Sequence, residues 1–419
     1  MKNLIMMIGA AVVAVGANAG TVTTNGATWT YTVVDSSASP VTVQLGNGSA
    51  ACIATDTSID AANIPWTFTD NGVDYIVTKL GKNSFQNCTG LTGTLAIPAA
   101  VTNIGQTAFN GCTGLTGISS FGGLAENNRP GASVFSGCSG LMGTLVVPDA
   151  YSGGFSSSSF NNCDGLTAII VGSGTSDTLQ NFATACDNLI GVWVKGRPDS
   201  AGKTTLVYSD NAFQNSSSLR VVLYGNNAKL SDSSSHQANP VGGVTGCKIF
   251  VPTKEGRVWD KLVVSGTGNE AIPYGANTNL NLVVDEVART ITFTPTDTNA
   301  LVKVLEAAPH FKEAFGWNTK INITNTIEVA EGMITAEMLN AVEFNTLLLT
   351  FAVRTQAQLD DILAKFPAST YPMLAIDVKP SAPGKTEALT LPSDRELWVH
   401  LPGDGKFTPK YNGLIISFY

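Results

Sequence analysis

Six times between residues 80 and 219 the chain returns to one short pattern, Phe-x-x-Cys-x-x-Leu, and no other feature restricts its fold as strongly. The segments are LGKNSFQNCTGL from Leu80, IGQTAFNGCTGL from Ile104, PGASVFSGCSGL from Pro130, FSSSSFNNCDGL from Phe155, a distorted NFATACDNL from Asn181 and SDNAFQNSSSL from Ser209. Cys88, Cys112, Cys138, Cys163 and Cys186 recur at spacings of 24, 26, 25 and 23 residues, and Ser216 holds the same place 30 residues on. A short β-prone stretch follows each Leu. Its alternation predicts two inward side chains per copy: Leu95/Ile97, Leu145/Val147, Ile169/Val171, Val192/Val194, Val222/Tyr224 and, in a last copy KIFVP, Ile249/Val251. The copy from Ile104 departs from this, because Ser120 stands where a second large apolar residue is expected.

A unit of about 24 residues with one strand cannot bury its apolar side alone, so neighbours must stack and share a continuous core. The predicted fold class is therefore α/β, built around a leucine-rich-repeat solenoid over residues 80–262. An N-terminal β cap over 20–79, with TWTYTVV and VTVQL as a hairpin, shields the first coil, and an α/β domain over 276–419 follows. The wording IGxxAFxxC followed by xxLxxIxIP, and the lead-in IPWTFTDNGVDYIVTKLG from Ile64, resemble the BspA-like family of bacterial leucine-rich repeats. The resemblance covers residues 60–255. It implies an exported surface protein engaged in adhesion and partner binding.

The first residues read as an address. Lys2 precedes an apolar run from Leu4 to Val15, and Ala17-Asn18-Ala19 offers small residues before Gly20, so residues 1–19 are expected to be a secretory signal peptide cut after Ala19. The run is shorter than the roughly 20 residues a membrane span needs, and no later stretch approaches that length. The expected location is secreted or at the cell surface.

Seven cysteines in an exported chain raise the question of disulfides, but Cys88, Cys112, Cys138, Cys163 and Cys186 occupy one column of the repeat. Buried free thiols are the expectation, and Ser216 shows that the site does not demand a bridge. Neighbouring strands about 4.8 Å apart would still permit one or two bridges, so that alternative stays open. Between each inward pair lies an outward residue: Ala96, Ser119, Val146, Ile170, Trp193, Leu223 and Phe250. The later members are apolar where a solvated strand would carry Thr, Ser, Lys or Glu. Val146, Ile170, Trp193, Leu223 and Phe250 are therefore the candidate binding face, open either to an external partner or to the C-terminal part of the chain.

Beyond residue 276 the pattern changes. LNLVVDEVARTITFT predicts a hairpin. Leu301, Val302, Leu305 and Phe311 mark one helix, Met338, Leu339 and Val342 a second, and Thr355 with Gln358 the capped start of a third. Strands near Ile321, Leu347 and Leu374 recur at 26 and 27 residues, which suits a parallel α/β arrangement or a divergent second set of repeats.

Little in the chain points to catalysis, a cofactor or a metal. GRPDSAGKTT imitates a phosphate loop but has five residues where the motif has four between Gly196 and Gly202-Lys203, and a β-like stretch follows it. His236, His310 and His400 lack ligand partners at helical spacing, and Asp70, Asn71 and Asp74 read as a hairpin turn. A net charge of −8 with no basic cluster argues against nucleic acid. The expected function is a non-enzymatic binding or adhesion module for a protein or glycan. Two alternatives stand behind it. One is a self-assembling envelope protein, since only 13% of residues are charged and copies would repel each other little. The other is an extracytoplasmic hydrolase with carboxylates far apart in sequence.

Overall fold

The computed structural model describes residues 19–125, 128–175, 179–196, 211–226, 228, 239–253, 262–323, 327–329, 338, 341–344, 349–366, 373–378, 389–393, 396–400, 407–410 and 415–416. They divide into two compact units, Met1–Gly165 with Gly174–Cys186, and Leu166–Ser173 with Asp187–Tyr419. The expected leader up to Asn18, the Gly202-Lys203-Thr204 segment, His236, Leu339 and Leu347 lie outside the described residues.

The first unit opens with the cap. Strands β1 (Ala19–Thr24), β2 (Ala27–Asp35) and β3 (Val41–Leu45) run antiparallel in turn, β3 pairs in parallel with β6 (Val73–Leu80), and β6 pairs antiparallel with β5 (Thr67–Asp70). Two-residue Asn-Gly turns close β1–β2 and β5–β6. Asn25 and Gly26, and likewise Asn71 and Gly72, hold the positive φ that a hairpin matching strand twist requires. Trp29 is fully buried with its indole N–H donating to Thr24 O (3.0 Å), and Tyr31, Phe68 and Tyr75 cluster at 5.1 to 5.3 Å between centroids.

The repeat signature then becomes a corner. In each coil the residue before Cys adopts positive φ: Asn87, Gly111, Gly137, Asn162 and, in the distorted copy, Ala185. Asn and Gly tolerate this region best, which is why the signature reads NC or GC. The glycine two residues after Cys has a different cause. A Cβ at Gly90, Gly114, Gly140 or Gly165 would lie 2.1 to 2.5 Å from a carbonyl oxygen of the preceding turn, so the backbones meet where no side chain fits. Successive corners are hydrogen-bonded in register, with Phe85 N donating to Ala108 O (2.7 Å), Phe109 N to Val134 O (2.9 Å), Phe135 N to Ser159 O (2.9 Å) and Phe160 N to Phe182 O (2.8 Å). The aromatic rings follow that rise. Phe85, Phe109, Phe135 and Phe160 stack at 4.8 to 5.4 Å, and the stack turns edge-on at Phe182, in the distorted copy.

Strands β7 (Leu91–Ile97), β9 (Leu115–Phe121) and β10 (Gly143–Val147) carry the first inward pairs. Short β4 (Ile59–Asp60) pairs with β7, and β8 (Asn103–Ile104) with β6. The departure expected at Ser120 is a β-bulge: Leu95 pairs with Ile118, Ala96 with Ser120 and Ile97 with Phe121. Phe121 takes the missing inward place and packs on Phe135, Tyr151, Phe155 and Phe160.

In the second unit β11 (Leu166–Val171), β12 (Gly191–Val194), β13 (Val221–Tyr224), β14 (Lys248–Pro252) and β15 (Glu270–Tyr274) form a parallel sheet. β15 extends the column beyond residue 262. Strands β12 and β13 are buried on both faces, the state of a parallel sheet covered on each side. The hydrogen bonds Phe213 N to Pro240 O and Asn215 N to Gly242 O place Val241 and Val244 where earlier coils have Phe and Cys.

The hairpin β16 (Leu280–Asp285) and β17 (Thr290–Pro295) forms as expected, followed by helix α1 (Thr298–Phe315). Asp297 caps α1 by accepting from Ala300 N (2.7 Å), and Gly316, with φ 68°, ends it. Two sheets follow. β18 (Asn318–Ile321) and β20 (Val342–Phe344) extend β17 in parallel. β19 (Ile327–Val329), β21 (Leu349–Val353), β22 (Met373–Val378) and β24 (Glu396–His400) form the other, also in parallel. Their starts recur every 22 to 24 residues, close to the 23 to 26 of the first repeats. Val342 opens a strand and does not sit on the expected second helix. Helix α2 (Gln356–Lys365) begins at the expected cap, with Thr355 Oγ1 accepting from Gln358 N (3.3 Å), while Gln358 Oε1 reaches back to Arg354 N (2.7 Å).

Candidate binding face

The outward column divides into an open stretch and a covered one. On β7, β9 and β10 the side chains of Thr92, Thr94, Ala96, Thr116, Ser119, Met142, Thr144 and Val146 are exposed, Met142 at 65% and Val146 at 46%. Alternation puts them opposite the buried Leu91, Leu95, Ile97, Leu115, Ile118, Leu145 and Val147. Ser119 and Ser120 tie the sheet together by donating to Leu95 O (3.3 Å) and Ile97 O (2.8 Å). These side chains carry hydroxyls and methyl groups, and the exposed carboxylate of Asp60, paired with Thr92 across β4 and β7, stands over Gly93 at the edge, so what the face can offer a partner is hydrogen bonding and van der Waals contact beside one negative charge.

On β12 to β14 the same column lies under the C-terminal part of the second unit. Trp193 packs edge-on to Trp317 with centroids 4.9 Å apart, and Phe250 meets Phe293 (5.3 Å) and Phe311 (5.6 Å). Trp193 is 6% exposed, Leu223 and Phe250 are fully buried, and Ile170 is half-buried against the same cluster. At Gly191 a Cβ would lie 2.6 Å from the Ala314 Cβ, so α1 lies directly on the strand. Trp193, Leu223 and Phe250, expected to be open either to an external partner or to the C-terminal part of the chain, thus lie against α1 and the residues around it. Of the five candidate residues only Val146 is exposed. Over the covered part the neighbour is the chain's own helix.

A ring of charge surrounds that seat. Lys248 Nζ pairs with Glu306 (2.7 Å) and Glu270 (3.1 Å), and Lys303 with Glu270 (2.5 Å). Burial opposes the Lys248 charge, but the hydrogen bonds it donates to Glu306 and Glu270 outweigh it and hold its pKa above the usual lysine value. Lys195 pairs with Glu286 (2.6 Å) and stands over the Trp193 ring, 4.9 Å from its centroid.

The thiols face inward. Cys112 Sγ donates to Phe85 O (3.0 Å), Cys138 to Phe109 O (3.1 Å), Cys163 to Phe135 O (3.2 Å) and Cys186 to Phe160 O (3.2 Å), so each Cys is bonded to the Phe carbonyl of the coil before it. Cys52 of the cap is buried too, with its N–H donating to Ser84 O (2.6 Å). Burial pushes the Cys88 and Cys138 thiols up to about 12, the opposite of what a nucleophilic cysteine requires. His310 lies on α1 with Glu313, three residues on, 3.5 Å away, which corrects the expectation that it has no ligand-type neighbour at helical spacing. Among the described residues no helix is long and apolar enough to cross a membrane.

This is a β-solenoid of the leucine-rich-repeat class, in which a Phe and Cys ladder stacks the corners and the strands line one side. Residues 69–190 and 126–238 match the family profile of the BspA type leucine rich repeat region, in six copies, and the repeat region is an array of that family. No curated protein matches the chain. Among solved structures it is similar to the pneumococcal vaccine antigen PcpA, at 12% identity over 86% of this chain and 97% of that one, with a TM-score of 0.34. It is also similar to a leucine-rich repeat protein from Bacteroides ovatus ATCC 8483, at 15% identity over 76% and 97% with a TM-score of 0.30. A third is a leucine rich cell surface protein from Faecalibacterium prausnitzii A2-165, at 13% identity over 87% and 95% with a TM-score of 0.25.

Proposed function

We propose that the protein is an exported, non-enzymatic adhesion module that presents the outward face of β7, β9 and β10 to a protein or glycan outside the cell. The observation that carries this is the split of one column. Where the outward residues are large and apolar, a helix of the same chain covers them; where they are Thr, Ser, Ala, Met and Val, they are exposed. The BspA-type repeats support a binding role.

The test is a double substitution, Met142→Asp with Val146→Asp, at positions exposed enough to leave the fold intact. Binding of the purified protein to a glycan array and to immobilised matrix proteins is measured for both forms. The wild type is expected to engage one of these classes, and the variant to lose about tenfold or more of that affinity. Equal binding by the two forms overturns this face as the site. Growth of the wild type into large particles without any ligand, in sedimentation, would favour self-assembly instead.

A further inference from the structure

The leader and the cap meet at a single residue. Gly20 is the first residue after the expected cut, and it lies in β1 opposite Tyr31. The Tyr31 ring lies directly over its backbone: a Cβ at Gly20 would be 2.6 Å from Tyr31 Cζ and 2.7 Å from Oη, closer than side-chain atoms approach. Tyr31 Oη in turn donates to Asp70 Oδ2 (3.1 Å). The Gly20 backbone, the Tyr31 hydroxyl and the Asp70 carboxylate are thus successive neighbours. Asp70 is half-buried, and among the described residues no lysine or arginine pairs with it. A partly buried carboxylate without a cation is therefore joined, through the Tyr31 hydroxyl, to the one backbone position where export would create a cation.

We infer that cutting between Ala19 and Gly20 supplies this missing partner, and that the new α-ammonium of Gly20 is held by Asp70 and Tyr31, pinning β1 onto the cap. The inference rests on the export reading of residues 1–19. Hydrolysis by a signal peptidase uses one water: the Ala19–Gly20 C–N bond breaks, Ala19 leaves as a carboxylate, and the Gly20 nitrogen is protonated. With an ordinary pKa of about 7.7–8.0 this amine is mostly charged at neutral pH, and a neighbouring carboxylate favours the charge further. Glycine suits the position twice, by admitting the Tyr31 ring and by leaving the amine unobstructed. In the uncut chain the same nitrogen is a neutral amide, and Asp70 has no counter-charge.

The full chain is secreted from a bacterial host, and its first residue is read by intact mass and N-terminal sequencing, with Gly20 expected. Hydrogen exchange of β1 is then compared in the mature protein, in mature Asp70→Asn, in a cytosolic chain beginning Met-Ala19-Gly20, and in that chain carrying Asp70→Asn. Each single change is expected to speed β1 exchange about tenfold, and the two together no more than either alone. A first residue other than Gly20 overturns the inference together with the cut site. A Gly20 start with additive or absent effects overturns the pairing and leaves the export reading standing. Should Asp70→Asn fail to fold, the mature and extended chains with Asp70 intact decide the matter, and equal exchange in those two overturns the pairing.

Discussion

Strands β9 and β13 hold the same place in two copies of the repeat and bury the same inward side, yet β9 shows Thr116 and Ser119 to solvent while β13 keeps Val221 and Leu223 dry. Their inward sides differ little, Ile118 and Phe121 in one and Val222 and Tyr224 in the other. The inward ladder therefore specifies the coil, and the outward column specifies what the coil is used for. A row of small hydroxyl residues leaves a strand able to meet a partner. A row of large apolar residues commits it to a neighbour, here α1 with Phe311, Phe315 and Trp317.

The largest expected effect tests that division directly. Phe250→Ala removes a ring held between Phe293 and Phe311 and should cost about 3–5 kcal/mol in urea unfolding of the second unit, whereas Ser119→Ala on the open face should stay within about 0.5 kcal/mol. Equal costs would mean that both faces are buried in solution and would break the comparison.

A smaller effect comes from the thiols, which separate the two units by chemistry. The first unit stacks Cys88, Cys112, Cys138, Cys163 and Cys186, while the second has Ser216 and Val244 in that column and a single thiol elsewhere, Cys247. A thiol whose folded pKa is raised stays neutral in the folded state after the unfolded chain has begun to ionise. Stability is therefore complete below the unfolded value of about 8.5 and is lost as pH rises from there toward about 12, the folded value for Cys138. By this linkage Cys138 alone contributes a loss of about 2 kcal/mol between pH 8 and pH 10, and Cys138→Ser should remove that share. Hydrogen exchange should show the first unit loosening at lower pH than the second. If both loosen together, or Cys138→Ser leaves the slope unchanged, the thiols do not set the alkaline limit.

Much of this was legible before the structure, because it is written locally. The period, the inward pairs, the cap hairpins, the hairpin before α1 and the start of α2 all follow from alternation, turn residues and capping. The outward set from Val146 to Phe250 was legible as a column for the same reason. Its occupant was not. That residue 193 meets residue 317, and residue 250 meets residue 311, is a long-range packing choice that no short pattern records. Substitution of residue types hid other parts. Val241 and Val244 continue the Phe and Cys ladders without looking like them, and Phe121 was missed because a bulge moved it one place along. The anchoring site at Gly20 could have been sought in the sequence only as a glycine across from a tyrosine, a pairing that appears once β1 and β2 are in register.

The smallest expected effect asks what holds α1 to its seat. Lys303 bridges α1 to Glu270 on β15, and Lys248 on β14 bridges to Glu306 on α1, so the helix is rimmed by ion pairs as well as buried by aromatics. These side chains are partly exposed, and such pairs contribute about 0–1 kcal/mol each and weaken with salt. Lys303→Met should therefore cost less than about 1 kcal/mol in dilute buffer and almost nothing in about 1 M salt, where the Debye length is near 3 Å. Glu306→Gln should cost somewhat more, because it leaves Lys248 better buried and with one partner fewer. The rim then orients a helix that the apolar column holds. A loss above about 2 kcal/mol for Lys303→Met that vanishes in salt would reverse this order, since a buried aromatic contact is insensitive to ionic strength while an ion-pair rim is not. In that case the covered strands would be distinguished from the open ones by charge and not by Trp193, Leu223 and Phe250.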